Sequence, residues 1–122
     1  MIKKTEKVKT LVKNVKLNYM EWKIKIVDIN DFQKFILSLD KKTQAKLTKM
    51  IDLLGGNGVD LKMPYARQIG DKMWELRILG SQQARIIYVF RGAQIIILNW
   101  FLKKSNKIPN REIETARKRL TL

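Results

Sequence analysis

The chain has 122 residues and carries 26 Lys and Arg against 11 Asp and Glu, a formal net charge of +15. It contains neither cysteine nor histidine, which excludes disulfides, thiolate zinc sites, cysteine nucleophiles and the commonest general base. The length suits one hydrophobic core. The charge favours a polyanionic partner, with nucleic acid first, although a solubility surface or a membrane-facing patch would carry the same charge.

The first 19 residues form a basic extension whose apolar residues follow helical spacing at Val8, Leu11, Val12 and Val15. This pattern predicts an amphipathic helix, with a lysine-rich tail as the equal alternative. Lysines interrupt the apolar residues, so the extension lacks the core of a secretory signal. The most apolar stretch, residues 93–102, is too short to cross a bilayer. We therefore expect a cytoplasmic protein and assign no function to the extension.

A strand and two helices are predicted next. Apolar and charged residues alternate from Glu21 to Val27, as in a half-buried strand. Asn30 or Asp31 is expected to cap the first helix, and Asp40 the second. The glycine pair at positions 55–56 is expected to end the second helix. The two helices would form a hairpin.

The second half of the chain predicts a loop, three strands and a helix. Residues 57–70 contain glycine and proline breakers and predict the loop. Met73–Leu79, Ala84–Phe90 and Gln94–Leu102 predict an antiparallel meander, and Pro109 suits the first turn of a last helix. The expected fold is α+β: a small antiparallel sheet with the helical hairpin packed on one face, in a domain spanning residues 20–122.

Strand alternation places Glu75 and Arg77 on the face opposite Trp74, Leu76 and Ile78. Arg85 lies on the neighbouring strand, so its guanidinium would reach Arg77 and form a cationic pocket for a phosphate. The alternative is a set of solvent-exposed ion pairs, each worth under about 1 kcal/mol. Lysines 103, 104 and 107 follow the last strand as a basic cluster, or as an ordinary solvated loop.

Aromatic residues in the strands allow two interpretations. Tyr88 alternates with Ile86 and Phe90 and is predicted to lie in the core. Trp100 and Phe101 are candidates for stacking on an RNA base, although neighbours on a strand face opposite ways and at least one should be buried. The predicted RNA-binding residues beside the pocket are Arg67, Lys72, Lys107, Trp100 and Phe101.

Four segments together resemble a known family. They are WELRI at Trp74–Ile78, ARIIYVF at Ala84–Phe90, IIILNWFLKKSNKIP at Ile95–Pro109 and EIETARKR at Glu112–Arg119. Their order and spacing closely resemble the HigB-like, phage-derived branch of the RelE/ParE toxin superfamily. The resemblance extends more weakly back to the strand at Trp22.

The resemblance implies a RelE-like toxin that needs no cofactor or metal and is held inactive by a cognate antitoxin. Members of the RelE and HigB type cut messenger RNA on the ribosome, whereas ParE-type members inhibit DNA gyrase; the fold does not choose between them. By position, Arg77 and Arg85 match basic residues around the scissile phosphate, and Lys103 and Lys104 match those after the last strand. For the chemistry, our hypothesis gives a lysine of the Lys103/Lys104 pair either proton transfer or further charge stabilisation, and Glu75 is the second candidate for the general base.

We therefore expect a metal-independent endoribonuclease acting on messenger RNA, with attack by the RNA 2′-OH. The chain departs from many active relatives because residues 105–122 contain neither tyrosine nor histidine. A gyrase inhibitor and a non-catalytic nucleic-acid-binding domain are the alternatives.

Overall fold

The structure, a computed structural model, describes residues 21–121. The prediction for residues 1–19 lies outside these residues. The elements in chain order are β1 (Lys23–Ile26), α1 (Ile29–Ser38), α2 (Lys41–Asn57), a 3-10 turn (Gly58–Asp60), β2 (Ala66–Gly70), β3 (Met73–Ile78), β4 (Ala84–Arg91), β5 (Gln94–Leu102) and α3 (Asn110–Leu120). The predicted α+β class is confirmed. None of the helices in residues 21–121 is long and apolar enough to span a membrane.

The sheet has five strands in the order β1-β5-β4-β3-β2. The meander of β3, β4 and β5 is confirmed. The expectation of a purely antiparallel sheet is wrong, because β1 pairs with β5 in parallel, with Ile24 beside Ile95. The loop predicted over residues 57–70 is also partly wrong, since β2 pairs antiparallel with β3. This edge strand escaped prediction because only Ala66 is buried in it and its centre is polar.

Aspartates begin both helices of the hairpin. Asp28, rather than Asn30 or Asp31, caps α1: its Oδ1 accepts the Asp31 N–H at 3.1 Å. Asp40 caps α2 as predicted and accepts the Thr43 N–H at 2.7 Å. Hydrogen bonds from Thr43 hold the pKa of the Asp40 carboxyl below its usual value. The predicted capping residue was wrong because Asp28, Asn30 and Asp31 are all residue types that cap helices, and they lie within four positions of one another.

Helix α2 ends at Gly58, which lies against the Trp22 side chain that precedes β1. Gly55 and Gly56 lie inside the helix, and the chain turns at Gly58 with a φ of 52°. A Cβ on Gly58 would lie 1.9 Å from the Trp22 Nε1. The prediction that residues 55–56 end the helix is therefore wrong, and Gly58 is needed for both its backbone angle and its lack of a side chain.

Two hydrophobic cores lie on opposite faces of the sheet. On one face, the hairpin residues Phe32, Leu47 and Leu54 pack against strand residues that include Ile86, which confirms the predicted position of the hairpin. Tyr88 is fully buried there, as predicted. On the other face, helix α3 packs over β4 and β5 around Ala116, Ile87, Leu98 and Phe101. The sheet is thus the middle of three layers.

Candidate functional site

A cleft opens on the α3 face of the sheet, at the end where β3 finishes and β4 begins. Its volume is about 520 Å³. The lining residues are mostly cationic or polar: Met63, Arg67, Arg77, Gln83, Arg85, Lys103, Lys104, Ser105 and Asn106. None of them belongs to α3, so the cleft lies beyond the part of this face that the helix covers.

Arg77 and Arg85 are direct cross-strand partners in β3 and β4. Arg77 Nη1 donates to the Pro64 carbonyl at 3.2 Å. Arg85 is almost fully buried, and its Nη1 and Nη2 donate to the Ala84 carbonyl at 2.9 Å and to Gln83 Oε1 at 3.2 Å. The structure places both guanidinium groups in one cleft, as strand alternation predicted. The hydrogen bonds of both guanidinium groups go to neutral acceptors.

Glu75 is completely buried between two arginines. Its Oε1 accepts a hydrogen bond from Arg67 Nε at 2.8 Å, and its Oε2 lies 3.5 Å from Arg85 Nε. The interpretation of Glu75 as half of an exposed surface ion pair is therefore wrong. The cause is β2, which the sequence did not predict and which brings Arg67 directly opposite Glu75.

Lys103 extends the cationic lining at the end of β5. Its backbone N–H donates to the Gln83 carbonyl at 2.8 Å, which continues the pairing with β4. Partial burial lowers the pKa of Lys103, and the nearby Arg85, Arg67 and Arg77 lower it further, while Glu75 opposes them. Burial likewise lowers the pKa of Arg85. Lys104 also lines the cleft, whereas Lys107 lies outside it on the same loop.

Trp100 and Phe101 are both buried, each about 5% exposed. The indole N–H of Trp100 donates to Asp31 Oδ2 at 2.9 Å, and its ring packs on Phe32 at 4.9 Å. Phe101 lies in the core beneath α3. The prediction that these residues stack on an RNA base is therefore wrong, because helices cover β5 on both faces.

Lys72 is separated from the other predicted cations. It lies in the turn between β2 and β3, with a φ of 62°, at the opposite end of β3 from Arg77. The structure therefore does not bring Lys72 into the cleft. Its neighbour Asp71 accepts a hydrogen bond from Arg117 Nε of α3 at 2.7 Å, so this turn is tied to the helix.

Four lining residues were not predicted: Met63, Gln83, Ser105 and Asn106. They belong to connecting segments, where no periodic pattern distinguishes a lining residue from a solvated one. Only Gln83 had a usable signal, because it directly precedes a predicted strand that carries Arg85. Within residues 21–121 there is no group of three or more carboxylates placed to hold a metal ion.

The fold and the cleft define a small α+β protein with a preformed cationic site. Residues 34–121 match the model of the family described as phage-derived protein Gp49-like (DUF891). The match covers most of the chain, and the chain therefore belongs to this family. It confirms a phage-derived family, as the resemblance implied. No significant match was found among curated proteins.

Proposed function

We propose that this chain is the toxin of a type II toxin–antitoxin system and that it cleaves messenger RNA on the ribosome. The observation that carries the proposal is the pairing of Arg77 with Arg85 beside Lys103 in one cleft. Membership of a phage-derived family and the resemblance to HigB-like toxins support it. The net charge of +15 suits a nucleic-acid substrate.

The reaction that fits these residues uses the RNA as its own nucleophile. The 2′-oxygen attacks the adjacent phosphorus as the bond from phosphorus to the 5′-oxygen breaks, which leaves a 2′,3′-cyclic phosphate and a free 5′-OH. One proton must leave the 2′-OH, and one must reach the departing 5′-oxygen. The protein must transfer these protons and stabilise the charge on the phosphorane oxygens.

Each task falls to a residue of the cleft. Arg77 and Arg85 would donate hydrogen bonds to the phosphorane oxygens, as planar guanidinium groups suit phosphate. Lys103 is the candidate for proton transfer, because its lowered pKa increases the neutral fraction that can accept the proton of the 2′-OH. The ammonium group so formed would return a proton to the departing 5′-oxygen. Lys104 would add positive charge at the open side of the cleft.

The lining also supports a substrate delivered by the ribosome. Among the described lining residues there is no aromatic side chain on which a base could stack. The cleft would therefore contact phosphates and read little sequence, so that the ribosome would present the segment to be cut. A cognate antitoxin with acidic residues would complement the same cations.

Removal of the Arg77 guanidinium tests whether the cleft cleaves RNA. Arg77→Ala should lower the cleavage rate about a hundred- to a thousandfold, since a preorganised donor to the phosphorane is lost. The chain is induced briefly in cells, and transcript 5′ ends are mapped by primer extension beside the variant. Lys72→Ala, which removes an exposed cation outside the cleft, is the matched control and should cut like the parent.

Three results would contradict the proposal. Normal cleavage by both Arg77→Ala and Arg85→Ala would show that the cleft is not the catalytic site. Double-strand breaks with intact transcripts would identify a gyrase inhibitor. Salt-dependent RNA binding without cleavage or toxicity would identify a plain binding domain.

A further inference from the structure

The Glu75 carboxylate forms the floor of the cleft, where both of its oxygens face guanidinium groups. It is fully buried, and the Arg85 side chain beside it is only 4% exposed. The Arg67 side chain is 43% exposed and reaches the carboxylate from β2. One anion is therefore enclosed by two cations from two different strands.

Both arginines meet Glu75 through Nε and not through their terminal nitrogens. The Nη nitrogens of Arg67 make no hydrogen bond to any other described residue, so they remain available to a ligand. Arg85 Nη1 and Nη2 each use one hydrogen on Ala84 and Gln83, which leaves the other hydrogen of each nitrogen free. The carboxylate thus accepts a hydrogen bond from Arg67, forms an ion pair with Arg85 and leaves donors of both groups for a phosphate.

The cleft needs such an anion for electrostatic reasons. Arg67, Arg77, Arg85 and Lys103 lie close enough for their charges to influence one another. Without a counter-ion these cations would repel and separate before a phosphate arrives. A buried carboxylate is expensive to desolvate, but two adjacent guanidinium groups offset that penalty.

We propose that Glu75 is a positioning residue, an internal counter-ion that holds Arg67 and Arg85 in the geometry that receives the scissile phosphate. It is not the proton acceptor. Neither oxygen has exposed surface, so a substrate 2′-OH cannot reach them unless β2 or β3 moves. This inference rests on the proposed nuclease function for its kinetic consequence, but not for the structural role of the carboxylate.

The decisive variant is Glu75→Gln, which keeps the shape and an acceptor for Arg67 while removing the charge. Cleavage should fall roughly a hundredfold, as expected when reacting groups are misplaced by about 1 Å. Binding of an RNA blocked by 2′-O-methyl groups should be as tight as in the parent or tighter, because the cleft gains one positive charge. Glu75→Asp, which keeps the charge, should recover part of the rate.

A spectroscopic measurement distinguishes this role from chemistry on the substrate. The Nε–H signals of Arg67 and Arg85, followed by ¹⁵N NMR, should shift and exchange faster with water in Glu75→Gln. Unchanged cleavage in Glu75→Gln would overturn the proposal. Lost cleavage with unchanged arginine signals would also overturn it, because Glu75 would then act on the RNA directly.

Two further measurements apply if Glu75→Gln does not fold or if the parent chain does not cut RNA. If Glu75→Gln does not fold, Arg67→Gln replaces it, because the glutamine amide can still donate a hydrogen bond to the buried Glu75 carboxylate; the Arg85 Nε–H signal should then shift, and an unaltered signal would refute the counter-ion role. If the parent does not cut RNA, the nuclease proposal fails alone. Titration with inorganic sulfate, read on the same two signals in parent and Glu75→Gln, still tests the positioning of the arginines.

Discussion

Trp100 connects three elements through one side chain. Its indole N–H binds Asp31 of α1, its ring packs on Phe32, and the Arg119 guanidinium of α3 lies 4.9 Å from the ring centroid. Arg119 also donates to the Leu98 carbonyl at 2.9 Å. An aromatic residue that was a candidate for stacking on an RNA base therefore joins the two helical layers to the sheet.

This role predicts an effect on stability and not on RNA affinity. Trp100→Ala should lower the free energy of unfolding by roughly 3–5 kcal/mol, because a large buried ring leaves a cavity. Trp100→Phe, which loses chiefly the hydrogen bond to Asp31, should lower it by about 1 kcal/mol. Urea unfolding measures both. Weaker RNA binding by folded Trp100→Phe would show that the residue contacts RNA after all.

At the scale of elements, Trp22, which precedes β1, packs against Gly58, where α2 ends. Gly58 and Gly92 both have positive φ, 52° and 61°. A Cβ on Gly58 would collide with the Trp22 ring, whereas nothing lies within 4 Å of a Cβ on Gly92. The two glycines thus share a positive φ, but only Gly58 lies close to another side chain.

Alanine at each position separates the two effects. Gly92→Ala should cost only the backbone strain, about 1–2 kcal/mol. Gly58→Ala adds the displacement of Trp22, so its total cost should exceed about 3 kcal/mol. The free energy of unfolding of each variant is measured by denaturant titration followed by tryptophan fluorescence. Equal losses would mean that the Trp22 ring moves aside freely and that packing does not place the end of α2.

At the scale of the whole molecule, the net charge is +15, and part of the positive charge lies in the cleft. Arg67, Arg77, Arg85, Lys103 and Lys104 gather at one end of the sheet with only Glu75 among them. Meanwhile Arg117 of α3 is paired with Asp71 and Glu114. The cleft therefore carries a net positive charge, whereas the charge of Arg117 is offset by its two carboxylate partners.

Salt dependence should report this concentration of charge. Single-stranded RNA binding should weaken with a slope of about −3 in a plot of log affinity against log salt, as expected for four net phosphate contacts. Arg77→Ala should make the slope shallower by about 0.7. Filter binding of 2′-O-methyl RNA at several salt concentrations gives the values. A slope near zero, or one unaffected by Arg77→Ala, would place the binding surface elsewhere.

Most of the fold was predictable where a periodic pattern reports burial. The alternation in β3 predicted that Glu75 and Arg77 share a face, and the meander brought Arg85 beside Arg77. The pattern failed in β2, whose polar centre lies at the edge of the sheet. It also could not show the bulge at Leu98 and Asn99, where two residues of β5 face α3 and the alternation shifts by one before Trp100.

By itself, the sequence determined the class of the fold, the meander and the convergence of two arginines, because each follows from local periodicity and short connections. Only the tertiary structure showed that β1 pairs with β5 in parallel, that Glu75 is buried, and that Trp100 and Phe101 lie in the interior. These depend on which distant segments cover each strand. Local patterns record how polar a residue is, whereas burial and charge pairing depend on neighbours that the chain supplies from elsewhere.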